Sequence, residues 1–181
     1  MIRVNLLTLV VLAMFLAANT VAQERPDFSG RWAVEPEPTP APTAPGTPAP
    51  LRVGNMGSGW GPAITIKQTA DRLTVEYDFF ARGDMQAPLK FTYALDGSET
   101  SNSVMMGRGI QVQNSKTAWA GKELLITTTH PVEDPTGGKA LRTDVKRKLW
   151  LEAPDTLVVE TTRDPALGGL TTRSRTVYKK S

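Results

Sequence analysis

The chain has one histidine, His130, and no cysteine. A general base needs an orienting acid and a reacting partner. The nearest acids, Glu133 and Asp134, share with His130 the stretch His130 to Lys139, H-P-V-E-D-P-T-G-G-K. Its Pro and Gly content reads as a loop, so His130 is expected to be a solvated loop residue. A single imidazole without thiolates cannot supply the three or four ligands of a zinc site, so no metal and no cofactor are expected. No G-x-S-x-G elbow frames a serine nucleophile. Gly107-Arg108-Gly109 and Gly168-Gly169 are turn glycines with no phosphate-binding frame around them. Glu76, Asp78 and Glu160 alternate with apolar residues, which turns them toward water rather than into a glycosidase pair. No catalytic constellation is visible, and the chain is read as not an enzyme.

The more informative charge is Arg147. It falls between Val145 and Leu149 on the apolar face of Leu141 to Leu151, where a lone buried charge would be costly. Two readings stay open. Arg147 could line a partly polar cavity that holds an acidic amphiphile. Alternatively, a bulge shifts the strand, or an internal acid pairs with the guanidinium. Tyr77, Phe79, Phe91 and Tyr93 lie on the apolar faces of consecutive strands, either as a wall against a flat or greasy ligand or as plain core. Near the C-terminus Arg173 and Arg175 share a face with Val177.

The elements that must position these groups are strands. Phe28 to Val34, Leu73 to Phe79 and Leu89 to Leu95 alternate with period two, as half-buried strands do. Lys116 to His130 reads as a hairpin turning at Ala120-Gly121-Lys122. It is echoed by Ile64 to Val75 turning at Asp71 and by Leu149 to Val159 turning at Pro154-Asp155. Asp96-Gly97 is the strongest short hairpin signal in the chain. A last strand is expected from Thr171 to Lys179. No window beyond the N-terminal segment has helical periodicity, so the class is all-β.

Residues 1–22 are expected to be a signal peptide. Arg3 precedes an apolar run from Val4 to Leu16, and the small residues of Thr20-Val21-Ala22 fit cleavage after Ala22. That run is shorter than the ~20 residues of a bilayer span, so no stable membrane span is expected. The expected location is periplasmic or secreted. Residues 23–181 then form one domain, long enough to bury a core without disulfides. Within it Pro36 to Pro50 has seven Pro among fifteen residues and cannot pair in a sheet. It reads as a stiff loop after the first strand, because a linker there would leave Phe28 and Trp32 without a core. Trp60, in the irregular stretch Gly54 to Pro62, is either a lid or contact residue or an aromatic folded onto the core. The 21 bases and 18 acids are nearly balanced and scattered, which argues against a nucleic-acid partner. The sequence does not specify an oligomeric state.

Sequential hairpins of about 8–10 strands, each with one apolar face, favour an antiparallel up-and-down barrel that removes exposed edges. Gly30-Arg31-Trp32 on the first strand, the long first loop, the meander and an Arg on the last strand together resemble the lipocalin or wider calycin pattern. The chain is also similar to uncharacterised exported bacterial proteins that open with D-F-S-G-x-W, here Asp27 to Trp32. These continue with a D-G-x-E turn, Asp96 to Glu99, a W-x-G-x-x-L hairpin, Trp119 to Leu124, and a later W-x-L, Trp150-Leu151. The resemblance implies that Gly30 and Trp32 close one end of the barrel, with Arg175 or Arg173 lying over the indole. The expected function is binding of a small hydrophobic or amphipathic molecule. The alternatives are a structural or protein-interaction module with a solid core and an exposed Trp60, and then a hydrolytic enzyme.

Overall fold

A computed structural model describes residues 24–34, 59–77, 89–106, 109–132, 141–164 and 170–181. The expected signal peptide, the Pro-rich stretch 36–50 and Phe79 lie outside the described residues. Ten strands form one antiparallel, nearly closed, barrel-shaped sheet, with no helix among the described residues. They are β1 (Gly30–Val34), β2 (Ala63–Gln68), β3 (Arg72–Tyr77), β4 (Leu89–Ala94), β5 (Thr100–Met106), β6 (Gly109–Ala120), β7 (Glu123–Val132), β8 (Leu141–Ala153), β9 (Thr156–Arg163) and β10 (Thr172–Lys180). This is the all-β antiparallel barrel expected from the alternation.

The order around the sheet is β4-β3-β2-β1-β10-β9-β8-β7-β6-β5. First and last strands therefore pair, with Trp32 opposite Lys180 and Val34 opposite Tyr178. Sequence neighbours pair everywhere except at β4 and β5. These are the two strands joined by Asp96-Gly97, where the sequence alone predicts the best hairpin. The turn does form: Gly97 has φ 87° and the Asp96 carboxylate accepts from the Ser98 N–H at 2.8 Å. The strands it joins splay, and side chains take over the role of the missing ladder. The Asn102 amide accepts from the Thr92 N–H at 2.7 Å and donates to the Thr92 carbonyl at 2.9 Å, as a facing strand would. The Thr100 hydroxyl accepts from the Ala94 N–H, and the Thr117 hydroxyl donates to the Ala94 carbonyl. Buried edge groups are satisfied without a backbone partner.

The two ends of the barrel are built differently. Short turns at 69–71, 95–99, 121–122 and 154–155 gather at one end together with both ends of the described chain. Residues before β1 seal this closed end. Phe28 is fully buried and stacks on Trp119 across the barrel, with ring centroids 6.0 Å apart and planes 4° apart. Gln68 holds the segment there, accepting from the Phe28 N–H at 3.0 Å and donating to the Pro26 carbonyl at 2.9 Å. The Trp32 indole N–H donates to the Phe28 carbonyl at 2.9 Å. Phe28 is thus a plug ahead of the strand, which begins at Gly30 rather than at Phe28. Leu73, Leu95, Leu124, Leu149 and Leu157 complete this apolar floor.

Three expectations change. First, the cation over Trp32 is neither Arg173 nor Arg175 but Lys180, with Nζ 5.4 Å from the ring centroid. The register of β10 turns Ser174, Thr176 and Tyr178 inward, which leaves Arg173 and Arg175 exposed and Arg175 paired with Glu152 on the outer wall at 3.0 Å. Gly30 fits this corner through its φ of 149° and because a Cβ there would meet the Lys180 stem at 2.8 Å. Second, His130 is not in a loop. Strand β7 continues through Pro131 to Val132, where only β8 still pairs with it, an edge position that tolerates a residue without N–H. Third, the register shift in β8 falls at Leu151/Ala153, beyond Arg147, so no bulge turns Arg147 outward.

Candidate functional site

Along each wall strand the inward residues change character from the closed end to the opposite end. Strand β7 reads Leu124, Ile126, Thr128, His130; β8 in reverse reads Leu149, Arg147, with Val145 beyond; β9 reads Leu157, Val159, Thr161, Arg163. Strand β6 adds Thr117, Ser115 and Gln113, and β10 adds Thr176 and Ser174. Alternation fixes which side of the sheet each residue takes, and pairing then stacks the polar ones in one half of the interior. Arg147 lies opposite Ile126 on one side and Thr161 on the other.

Arg147 is the centre of this half. It is only 6% exposed, and its guanidinium carbon sits 5.2 Å from the centroid of the Trp60 ring. Burial pushes its pKa down and the nearby Arg163 adds to that, while Tyr93, Tyr77 and Tyr178 oppose it. A guanidinium nevertheless remains charged. Arg163 comes close. A Cβ built on Gly59 would meet Nη2 of Arg147 at 3.0 Å and Nη2 of Arg163 at 3.8 Å, so both guanidinium groups converge on one point. Gly59 has φ +77° and Gly61 +80°, a conformation that costs other residues about 1–2 kcal/mol. These two glycines let the chain dip so that Trp60 enters the barrel. The Tyr178 hydroxyl donates to the Gly61 carbonyl at 2.8 Å and anchors the dip.

On the other side of Arg147 stand the aromatics. Trp60 packs against Tyr93 at 6.3 Å, and its indole N–H is within hydrogen-bonding reach of the Tyr93 hydroxyl. Tyr77 and Phe91 stack at 5.8 Å with planes 6° apart. Burial raises the pKa of Tyr77 and Tyr93, with Arg147 acting in the opposite direction, so both phenols are neutral. His130 is half-buried, its Nε2 has no hydrogen-bond partner among the described residues, and its pKa is lowered to about 4. Burial is the main cause, followed by Arg147 and Arg163, with Asp144 opposing. The hydroxyls of Thr161 and Thr176 are likewise buried without a partner among the described residues, whereas Ser115 and Thr128 satisfy each other at 2.9 Å.

Of the residues singled out from sequence, Tyr77, Phe91, Tyr93 and Arg147 come together here. Gly30 and Trp32 lie at the closed end, and Arg173 and Arg175 on the outer wall. Trp60 takes the folded-back alternative, at 1% exposure, which removes the exposed indole expected of an interaction module. Sequence reasoning placed Thr161 on the apolar face with Leu157 and Val159 without assigning it to the site, and missed Thr176 and Arg163. The signal available was weak: Thr161 and Arg163 simply continue the inward face of β9 past Val159. No group of three or more His, Asp or Glu that could hold a metal ion is present among the described residues. None of the described helices is long and apolar enough to cross a membrane, since the described residues contain no helix. Comparison of the chain with protein-family models, curated proteins and solved structures finds no match.

Proposed function

We propose that this protein is an exported, lipocalin-like barrel that binds a small amphipathic molecule in the half of its interior around Arg147. The observation that carries the reading is the split interior. The closed half is filled by the side chains of a core in which Trp119 Nε1 alone lacks a partner among the described residues, while the half around Arg147 holds that buried charge and three such atoms, on Thr161, Thr176 and His130. Buried polar groups are normally satisfied, and exceptions of this density mark a place where water or a ligand completes the bonding. An eight- to ten-stranded barrel is wide enough to hold one small ligand. The Tyr77–Phe91 stack and Trp60 offer apolar surface beside these polar groups, which suits a molecule with both characters.

The test is native mass spectrometry of protein purified from its own compartment, with organic extraction of the same sample. A stoichiometric mass increment that extraction removes is expected. Protein that carries no increment and takes up no solvatochromic neutral probe such as N-phenyl-1-naphthylamine would overturn the reading.

A further inference from the structure

Backbone pairing runs around the whole barrel except between β4 and β5. Each of these strands is held firmly on its far side. Six residue pairs join β4 to β3, from Arg72 opposite Ala94 to Tyr77 opposite Leu89, and seven join β5 to β6. Across the gap, among the described residues, only side chains reach the backbone of β4. Asn102 engages both backbone groups of Thr92, Thr100 accepts from the Ala94 N–H at 3.0 Å, and Thr117 donates to the Ala94 carbonyl. Thr92 and Ala94 are two residues apart, so both present these groups to the gap, and Lys90 follows in the same phase. Nothing among the described residues fastens the Lys90 backbone across the gap. At the closed end the turn at Asp96-Gly97 joins the two strands, and the Leu95 N–H beside it donates to the Asp71 carbonyl at 2.7 Å. The seam is therefore hinged at the closed end, latched at Ala94 and Thr92, and unfastened beyond them. A ladder of backbone bonds parts cooperatively, whereas this latch lets go by rotation of three side chains.

We propose that the β4–β5 seam is a latched gate in the wall, which parts in the folded protein while every ladder stays intact and admits the ligand sideways. The entrance rests on the ligand-binding reading above. It is favoured by what β4 carries on its inward face: Phe91, stacked on Tyr77, and Tyr93, packed against Trp60. A molecule passing the seam meets these rings first. From the end of the barrel, by contrast, Trp60 packs into the same half, and the Tyr178 hydroxyl holds the chain there through the Gly61 carbonyl.

Hydrogen exchange at single amides tests the latch. The Thr92 and Ala94 amides are expected to exchange about a hundredfold faster than the slowest amides of the β6–β7 and β8–β9 ladders, at rates that low urea leaves unchanged. Thr100→Val, which removes the acceptor of the Ala94 N–H, should speed that amide about fivefold further. The entrance is tested with Lys90→Cys/Ser103→Cys, two exposed positions flanking the seam in a chain with no cysteine of its own. They are joined by a bismaleimide whose spacer contains a disulfide. Lys67→Cys/Thr74→Cys, opposite each other in the β2–β3 ladder, is joined in the same way as a control. Joining the seam should slow both association and release of N-phenyl-1-naphthylamine about tenfold in stopped flow, with its affinity within about twofold. Reduction of the spacer should restore both rates, and the control should match unjoined protein. Exchange of Thr92 and Ala94 only through global unfolding overturns the gate. Unchanged probe rates in the joined seam overturn the entrance while the ligand-binding reading stands. Failure of unjoined protein to bind the probe overturns that reading and the entrance together.

Discussion

The two ends of this barrel solve opposite problems with the same alternating strands. At the closed end the inward residues are mainly leucines and aromatics, the connections are tight turns, and the segment before β1 is tied down by the inward Gln68, which presses Phe28 into place. Toward the opposite end Arg147, Arg163, His130 and hydroxyls join apolar residues such as Val145 and Tyr77 on the inward face, and the chain returns through the positive-φ Gly59 and Gly61 to lay Trp60 against Arg147. Two tryptophans mark the contrast. Trp32 and Trp60 are equally buried and each lies near a cation. Over Trp32 the cation is an exposed lysine on a flexible stem, which contributes little beyond covering the ring. Over Trp60 it is a buried guanidinium, which a packed core does not need. One end is optimised for stability, and the other keeps polar groups that stability alone would have replaced with leucine.

The comparison can be broken most sharply at the closed end. Replacing Phe28 with Ala removes a fully buried ring and its stack on Trp119, and should cost about 3–5 kcal/mol of unfolding free energy in urea titration. A loss below about 1 kcal/mol would mean that the segment before β1 does not seal the barrel. Next in size is the seam between the halves of the sheet. Asn102→Ala strips partners from both backbone groups of Thr92, and a loss of about 2–3 kcal/mol is expected. Asn102→Asp keeps an acceptor for the Thr92 N–H but sets a buried carboxylate against the Thr92 carbonyl, so it should lose at least as much as the alanine variant; a near-wild-type stability would deny the amide its strand-mimicking role.

The smallest effect sharpens the end around Arg147 and His130. His130 has a folded pKa of about 4, below the 6.5 of an unfolded histidine. Between these values the unfolded chain binds the extra proton, so stability is fully present above pH 6.5 and falls as pH drops from about 6.5 to about 4. Because His130 is half-exposed, solvent screening reduces the loss to about 1–2 kcal/mol. His130→Gln should flatten this part of the stability curve, and an unchanged slope would contradict the burial of the imidazole beside Arg147 and Arg163. Asp27 at the closed end works in a separate window. Its pKa is lowered by hydrogen bonds from Ser29, so its contribution is present above pH 3.8 and lost only below it.

Much of the fold is legible in the residues because strand periodicity is local. Leu73-Val75-Tyr77 and Phe91-Tyr93-Leu95 declare their faces without any knowledge of neighbours. The turns at Gly121 and Asp155 declare themselves by composition in the same way. His130 was misplaced for a reason of the same kind. Pro131 reads as a breaker, but the side of a strand on which a missing N–H matters depends on whether a neighbour is present there. The seam was hidden for the converse reason: Asp96-Gly97 specifies a turn, while splaying of the strands beyond it depends on how the whole sheet closes.

The site divides along the same line. Sequence marked Arg147 as an inward charge and Tyr77, Phe91 and Tyr93 as inward aromatics, because each lies in phase with its own strand's apolar face. It placed Arg173 and Arg175 at the wrong corner, since an alternating strand has two faces and only pairing with β1 and β9 turns Thr176 and Tyr178 inward. It had no means of joining Trp60 to Arg147 or of bringing Arg163 to Gly59, contacts between residues far apart in the chain that exist only once the barrel has curved. Residue types and alternation alone determined an all-β chain with an arginine on its apolar face. Closure of the sheet decided that this arginine lies under an indole with a second guanidinium beside it, because curvature and strand register, not local propensity, set which inward side chains meet.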